Sequence, residues 1–273
     1  MSDIILSASV RSNLLQLQQT SDLITQTENR LATGKKVSSA LDNANSFFTA
    51  QGLDTRANNL SSLLDSMSNG INTIQAANNG ISSITKLVQS AQAIVSQAQQ
   101  ANNTTTQAAL ATQFNSVLTQ IGELAGDSGF NGVNLLGGNT LTVTLNESGS
   151  SSTTVTAVNN TNANASPLSI ANAANNWAGA SDITAASTAL STALTSLQSE
   201  SQTLSSSLAM VQTRQDFTKS MIGTLQSGSA SLTLADSNQE GANLLALQTR
   251  QQLSSTALSL ASQADQNVLR LFR

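Results

Sequence analysis

The sequence predicts a mainly α-helical protein built from long antiparallel coiled-coil rods, paired N- and C-terminal helices and a small β-hairpin insert. Three observations lead there. Apolar residues recur at alternating spacings of three and four along both the first and the last parts of the chain. Between about residues 127 and 176 that period vanishes and short apolar–polar alternation replaces it. Charged residues fill only 10% of the 273 positions, against about 25% in ordinary globular proteins, and Ser, Thr, Asn and Gln take the polar positions instead. So little charge gives weak repulsion between copies, a liability for a monomer and tolerable for a subunit meant to assemble.

The strongest helix starts at Leu53 and continues through Ala57, Leu60, Leu64, Met67, Ile71 and Ile74. After Asn78 it resumes with Ile81, Ile84, Val88, Ala91, Val95 and Ala98. At ~1.5 Å per residue this is on the order of 70 Å of helix, a coiled-coil rod with one polar seam residue. Asn102, Asn103 and Thr104 suit a break and a new cap. The next helix carries Leu110, Phe114, Val117, Ile121 and Leu124, and should fold back antiparallel. Leu141–Leu145 and Thr153–Val158 alternate apolar with polar around the turn-type cluster Asn146–Ser151, as a hairpin does. The following stretch, with Pro167, reads as loop.

Helical spacing returns with Leu190, Leu194, Leu197, Leu204, Leu208 and Val211, then Ile222, Leu225 and Leu232, over a seam softened by Ser201, Gln215, Thr218 and Ser229. The last segment carries Leu253, Ala257, Leu260, Ala264, Val268 and Leu271. Near the start, Val10, Leu17, Ile24 and Leu31 stand seven apart. So narrow a stripe cannot hold a helix folded alone. The two terminal helices are therefore expected to pair, burying Val10, Leu17, Ile24 and Leu31 with Leu253, Leu260, Val268 and Leu271. The expected organisation is a terminal helix over 1–42, an inner rod domain over 43–180 containing the hairpin region, a returning rod helix over 181–234 and a terminal helix over 235–273.

Composition also excludes. The net charge is −4 and the eleven basic residues are scattered, with Lys35–Lys36 the only adjacent pair. Nucleic acid binding needs clustered cations, so none is expected. His, Cys and Tyr are absent, which removes the usual general bases, nucleophile pairs and soft metal ligands. No catalytic, cofactor-binding or metal-binding residue is expected, and the protein is not expected to be an enzyme. Ala32–Lys36 lacks the first Gly and the Ser or Thr of a phosphate loop. No apolar run approaches the ~18 residues of a membrane span, so no membrane insertion is expected. Met1–Ser7 does not have the form of a cleaved secretory signal.

Three stretches carry a family resemblance. Asn29–Ala44 includes Arg30-Leu31-Ala32-Thr33-Gly34-Lys35-Lys36-Val37 and then Ala40-Leu41-Asp42. This resembles the N-terminal signature of bacterial flagellins, Arg-Leu-x-Thr-Gly-Lys-x-Val followed by Ala-x-Asp. Asn243-Leu244-Leu245-Ala246-Leu247-Gln248-Thr249-Arg250, continuing to Phe272, is similar to the flagellin C-terminus in its alphaproteobacterial form. Phe130-Asn131-Gly132 is similar to the segment that ends the family's inner rod domain. The likeness covers roughly residues 1–138 and 180–273. The family's acidic stretch before the last helix is only partly matched, by Asp236 and Glu240.

The resemblance implies a short flagellin lacking large outer domains. It would be the structural subunit that polymerises into the flagellar filament for swimming motility, through terminal helices that pair in the filament core. It implies export by the flagellar type III apparatus without a cleaved signal peptide, assembly at the filament tip and an extracellular location on the bacterial flagellum. The implied partners are further copies and related flagellins, the hook-associated junction and cap proteins, and the export chaperone and gate. Two other readings share features: a hook–filament junction protein, and a secreted coiled-coil adhesin or effector.

Overall fold

A computed structural model describes residues 8–271, apart from the side chains at 8, 9, 265 and 268–271. Five helices account for most of it: α1 (Ala8–Thr33), α2 (Ala44–Gln100), α3 (Thr104–Asp127), α4 (Ala180–Thr233) and α5 (Ser237–Leu271). Two four-residue strands, β1 (Leu141–Thr144) and β2 (Ser152–Val155), pair antiparallel with Leu141 opposite Val155 and Val143 opposite Thr153. The chain forms two compact units, residues 1–55 with 224–273, and residues 56–223. They divide inside α2 and α4, so each long helix contributes to both.

Unit 56–223 holds the larger core. The three–four spacing along α2 is a buried row: Ala57, Leu60, Met67, Ile71, Ile74, Ile81, Ile84, Val88, Ala91, Val95 and Ala98 are all shielded. Leu64 is half-buried at its edge. Asn78 lies in the same row, its Oδ1 buried without a partner. From α4, Ile183, Leu190, Ala193, Leu197, Leu204 and Val211 join the same core. Gln215, a polar position of the α4 stripe, donates to Ser68 Oγ on α2 at 2.9 Å.

Asn103 caps α3 by accepting from Thr105 N at 2.7 Å, as the break in the sequence suggested. The buried face of α3 is rotated from the expected one. It runs Ala111, Phe114, Leu118, Ile121 and Ala125, while Leu110, Val117 and Leu124 are half-buried at its edge. Two apolar rows lie side by side on this helix, and the row with the alanines allows the closer approach.

The stretch after β2, expected to be loop, is irregular but not peripheral. Leu168, Ile170 and Trp177 are fully buried in the core. The Trp177 ring meets Phe114 at a centroid distance of 4.9 Å. Asn175, Asn176 and Trp177 all hold positive φ, a tight left-handed turn that swings the indole inward.

Two glycines in α2 have a packing reason. A Cβ on Gly70 would stand 2.7 Å from Val143 Cγ2 of β1. One on Gly80 would meet Ser128 Oγ at 2.2 Å and Leu136 Cδ1 at 2.8 Å. Gly52, on the same helix, has open space around it. Gly80→Ala should therefore destabilise unit 56–223 by about 1–3 kcal/mol through overpacking. Gly52→Ala should stabilise by roughly 0.5–1 kcal/mol through helix propensity. Thermal melts of the two variants should move in opposite directions; a Gly80→Ala protein melting at or above the parent would refute the close approach.

Candidate assembly surfaces

The turn after α1 and the turn after α4 meet in unit 1–55/224–273. Gly34, at φ +67°, ends α1 in the left-handed conformation that only glycine adopts without strain. The backbone then runs antiparallel to the end of α4, with Lys35 bridged to Leu234. Lys36 N and Val37 N donate to Thr233 O at 2.8 and 3.2 Å, and Ala235 N donates to Gly34 O at 3.0 Å. Lys36 Nζ adds a bond to Ser231 O at 3.0 Å. Thr33 folds its hydroxyl back to Asn29 O at 2.7 Å and accepts from Lys35 N at 3.3 Å. Val37 is buried under this clasp.

Both flanks of the clasp are fixed by side chains. Asp42 accepts from the backbone amides and hydroxyls of Ser38 and Ser39, four bonds at 2.9–3.2 Å. The two serine amides, then the hydroxyls, hold its carboxyl below the usual aspartate value of 3.8. On the other flank, Asp236 Oδ1 accepts from Asn238 N at 2.9 Å and Gln239 N at 3.3 Å, capping α5. Glu240, one turn in, is buried and takes Arg30 Nη1 at 3.2 Å. Asp236 and Glu240 are the two acidic positions that matched the expected pattern before the last helix, and each has a defined structural task.

Beyond the clasp, α1 and α5 pack together. The α1 seam takes Val10, Leu17, Ile24 and Leu31 on one row, interleaved with Asn13, Thr20 and Thr27; all are buried or half-buried. Thr20 and Thr27 are buried, with hydroxyls bonded to Gln16 O and Leu23 O at 2.8 Å. From α5 the shielded row is Glu240, Leu244, Leu247, Gln251, Ser254, Leu258 and Ala261.

Leu253 and Leu260 do not line this seam. They are 67% and 62% exposed, and Ala257 and Ala264 are exposed with them. The expected α5 row is thus one position off. Two apolar rows run side by side on α5, and the Arg30–Glu240 pair and the clasp turn the other one toward α1. The side chains of Val268 and Leu271 lie outside the described residues. On the outer faces, Leu14, Leu15 and Leu23 of α1 and Leu245 of α5 are also exposed.

Comparison of the sequence with known proteins shows the family. Residues 5–140 match the family model of the bacterial flagellin N-terminal helical region. Flagellin FljM of Caulobacter vibrioides is 32% identical over 267 residues, covering 95% of this chain and 94% of that protein. The chain belongs to the bacterial flagellin family. Flagellin FljN of the same organism is 34% identical over 262 residues, and a flagellin of Brucella melitensis is 30% identical over 285 residues, covering both chains fully. A crystal structure of Bacillus cereus flagellin overlaps 57% of this chain and 88% of that one, with a TM-score of 0.46 and 19% identity. Members of this family are structural subunits of the flagellar filament.

The remaining signature residues fall in distinct places. Asn131 and Gly132, at φ 49° and 80°, form a two-residue turn between Phe130 and Val133, whose amides and carbonyls bond each other at 2.9 and 3.0 Å. Asn243 and Arg250 are exposed on α5, and Leu244 is half-buried in the seam. Of the arginines, Arg30 and Arg56 pair within the chain, Arg56 with Glu147 in the hairpin turn. Arg56 therefore ties the hairpin to α2. Among the described residues no His, Cys, Asp and Glu gather in a group of three or more, and no helix is long and apolar enough to cross a membrane.

Sequence reasoning missed two polar centres of unit 56–223. Asn134 donates to Ala125 O and Gly126 O at 2.8 Å, closing α3, while its Oδ1 accepts from Leu136 N and Gly137 N. Asn160, fully buried, donates to Glu200 Oε2 on α4 at 2.8 Å. Burial pushes the Glu200 carboxyl above its ordinary 4.5, and the Asn160 bond offsets this only in part. Glu200 Oε1 and Asn160 Oδ1 are buried without partners, an arrangement that favours a protonated acid.

The two shifted carboxyls act in opposite senses on stability. For Glu200 the folded state holds the proton more tightly, so its contribution is full below 4.5 and is lost as pH rises through the raised folded value. For Asp42 the contribution is present above 3.8 and is lost as pH falls through the lowered folded value. Glu200→Gln should flatten the decline of thermal midpoint above pH 4.5 and leave the acid limb intact; Asp42→Asn should do the reverse. Midpoints measured across pH check this, and an unaltered alkaline decline in Glu200→Gln would remove Glu200 as its source.

Proposed function

We propose that the chain is a flagellin that polymerises into the flagellar filament for motility. In this reading residues 1–42 and 235–273 are the filament-core helices, and 43–180 and 181–234 supply the rods around them. The observation that carries the reading is the pair of terminal helices. Together α1 and α5 bury one narrow, half-polar seam and leave Leu14, Leu15, Leu23, Leu245, Leu253 and Leu260 exposed. A soluble two-helix pair gains nothing from such rows, whereas a contact between copies buries them. Each leucine fully buried contributes roughly 1.5–3 kcal/mol. A heterologous, non-closing contact of this kind generates a helical polymer.

Val10, Leu17, Ile24 and Leu31 then hold α1 to α5 within a subunit, and Leu253 and Leu260, with Val268 and Leu271 further along α5, serve contacts between subunits. Export through the flagellar type III apparatus, addition at the filament tip and a final place outside the cell follow from the family reading. So do the partners: other flagellins in the filament, the hook-associated junction and cap proteins, and an export chaperone and gate. The low charge density supports close lateral packing of identical subunits.

Seeded polymerisation tests this. Heat-dissociated full-length protein, cooled with short filament seeds, should elongate them under electron microscopy, and a chain truncated after Leu234 should not. The double variant Leu253→Ser/Leu260→Ser should keep the parent's helicity and melting profile. Its critical concentration for growth should rise by tenfold or more, about the effect of ~1.4 kcal/mol lost per subunit. Normal growth of the double variant would sink the outer-row assignment. A capped product that never lengthens would point to a junction protein instead.

A further inference from the structure

The chain contains three Asn–Gly steps, at 69–70, 79–80 and 131–132. This dipeptide is the one most prone to spontaneous deamidation, because glycine places no side chain over its own amide nitrogen. Whether the reaction occurs depends on the fold. The nitrogen must reach the asparagine side-chain carbon, and the main chain must turn to let it.

Asn69–Gly70 and Asn79–Gly80 lie inside α2. There each glycine N–H is engaged in the helical ladder, and helical ψ holds the nitrogen away from the side-chain carbon of the preceding residue. Gly70 and Gly80 are further pinned by Val143 and by Ser128 and Leu136. Reaction at either step has to wait for local unfolding of a helix whose apolar face is fully buried.

Asn131–Gly132 is placed differently. The pair forms the two central residues of a tight turn, both at positive φ and both exposed. The bonds that hold the turn belong to Phe130 and Val133. Among the described residues neither the Gly132 amide nor the Asn131 carboxamide has a hydrogen-bond partner. Nothing lies within 4 Å of the position a Gly132 Cβ would take. The nucleophile and the electrophile are thus adjacent, unbonded and open to water and base.

We propose that Asn131–Gly132 is the deamidation site of the folded chain, a point of chemical ageing built into the turn that follows α3. The Gly132 nitrogen, losing its proton, bonds to the Asn131 side-chain carbonyl carbon. The carboxamide C–N bond breaks and ammonia leaves, carrying that proton. Water then opens the five-membered imide at either carbonyl, giving aspartate or isoaspartate. Both products add one negative charge. The isoaspartyl product also inserts a methylene into a main-chain turn whose register rests on the two Phe130–Val133 bonds, next to the Asn134 side chain that closes α3. An old subunit thereby differs from a new one at a fixed, exposed place.

The test compares the three steps within one protein. Folded full-length chain is held at mildly alkaline pH, sampled over days and digested. Peptide mass spectrometry reads the one-dalton gain, and isoaspartyl methyltransferase labelling identifies the product. The gain should appear in the 131–132 peptide on the order of tenfold or more faster than in the helical peptides, whose reaction is gated by opening. It should accelerate with pH. In urea the three steps should converge, showing that the fold sets the contrast. Asn131→Gln, which would need a larger ring to close, should abolish the label at this position. Equal rates at all three steps in the folded chain, or a 131–132 peptide slower than the helical ones, would overturn the proposal.

Discussion

Two chain reversals, one after Thr33 and one after Thr233, are joined by main-chain hydrogen bonds, and the rotation of α5 against α1 depends on that junction. Lys36, Val37 and Ala235 supply the donors, and Gly34 and Thr233 the acceptors. Main-chain bonds of this kind are indifferent to side-chain identity but demanding of backbone path, which is why a left-handed glycine stands at the reversal. Once the path is set, Asp236 starts α5 and Glu240 presents its carboxylate to Arg30 a turn later. The row of α5 that meets α1 is then determined before any leucine makes contact. The signature run from Arg30 to Val37 reads, in physical terms, as the parts list of this junction.

A chain with so few charges uses those it has locally. Arg30 and Arg56 each tie a turn or helix to an element distant in sequence, through Glu240 and Glu147. Pairs as exposed as Arg56–Glu147 contribute only ~0–1 kcal/mol. Their value lies in selecting one arrangement where the surrounding Ser, Thr, Asn and Gln would tolerate several. Glu200 is the contrary case. It is a lone carboxyl turned into the protein toward an amide, and it adds a pH dependence to the packing of the 159–177 segment against α4.

How much of this was legible in the sequence depends on how each element signals itself. The α2 row was legible from Leu53 onward, because one dominant apolar stripe runs from there to Ala98, although the helix itself begins earlier, at Ala44. The α5 face was misplaced by one position and the α3 face only in part, Phe114 and Ile121 being buried as expected, because two apolar rows lie side by side there and periodicity cannot rank them. The segment 159–177 looked like loop because irregular backbone has no period, yet it delivers Leu168, Ile170 and Trp177 to the core. The only tryptophan of the chain was the available hint. The signature stretches were recognisable, but their joint task was not, since Arg30 and Glu240 stand 210 residues apart. Asn160 and Glu200 carried no pattern at all.

The seam between α1 and α5 differs in kind from the core of unit 56–223, and the difference bears on how a terminal helix can be both orderly and detachable. Along α1 the apolar positions Val10, Leu17, Ile24 and Leu31 alternate with Asn13, Thr20 and Thr27. The two threonines satisfy their hydroxyls on their own helix, at Gln16 O and Leu23 O. Separating α1 from α5 therefore leaves neither hydroxyl without a partner, and the cost falls, among the described residues, largely on the apolar contacts of a few side chains and the Arg30–Glu240 pair. In unit 56–223 the corresponding positions are Met67, Ile74, Ile84 and Val88, fully buried against several elements at once. Local opening free energies follow such differences. The terminal pair sits at the low end by composition, and contacts that cover the exposed leucines on its outer faces are what would raise it.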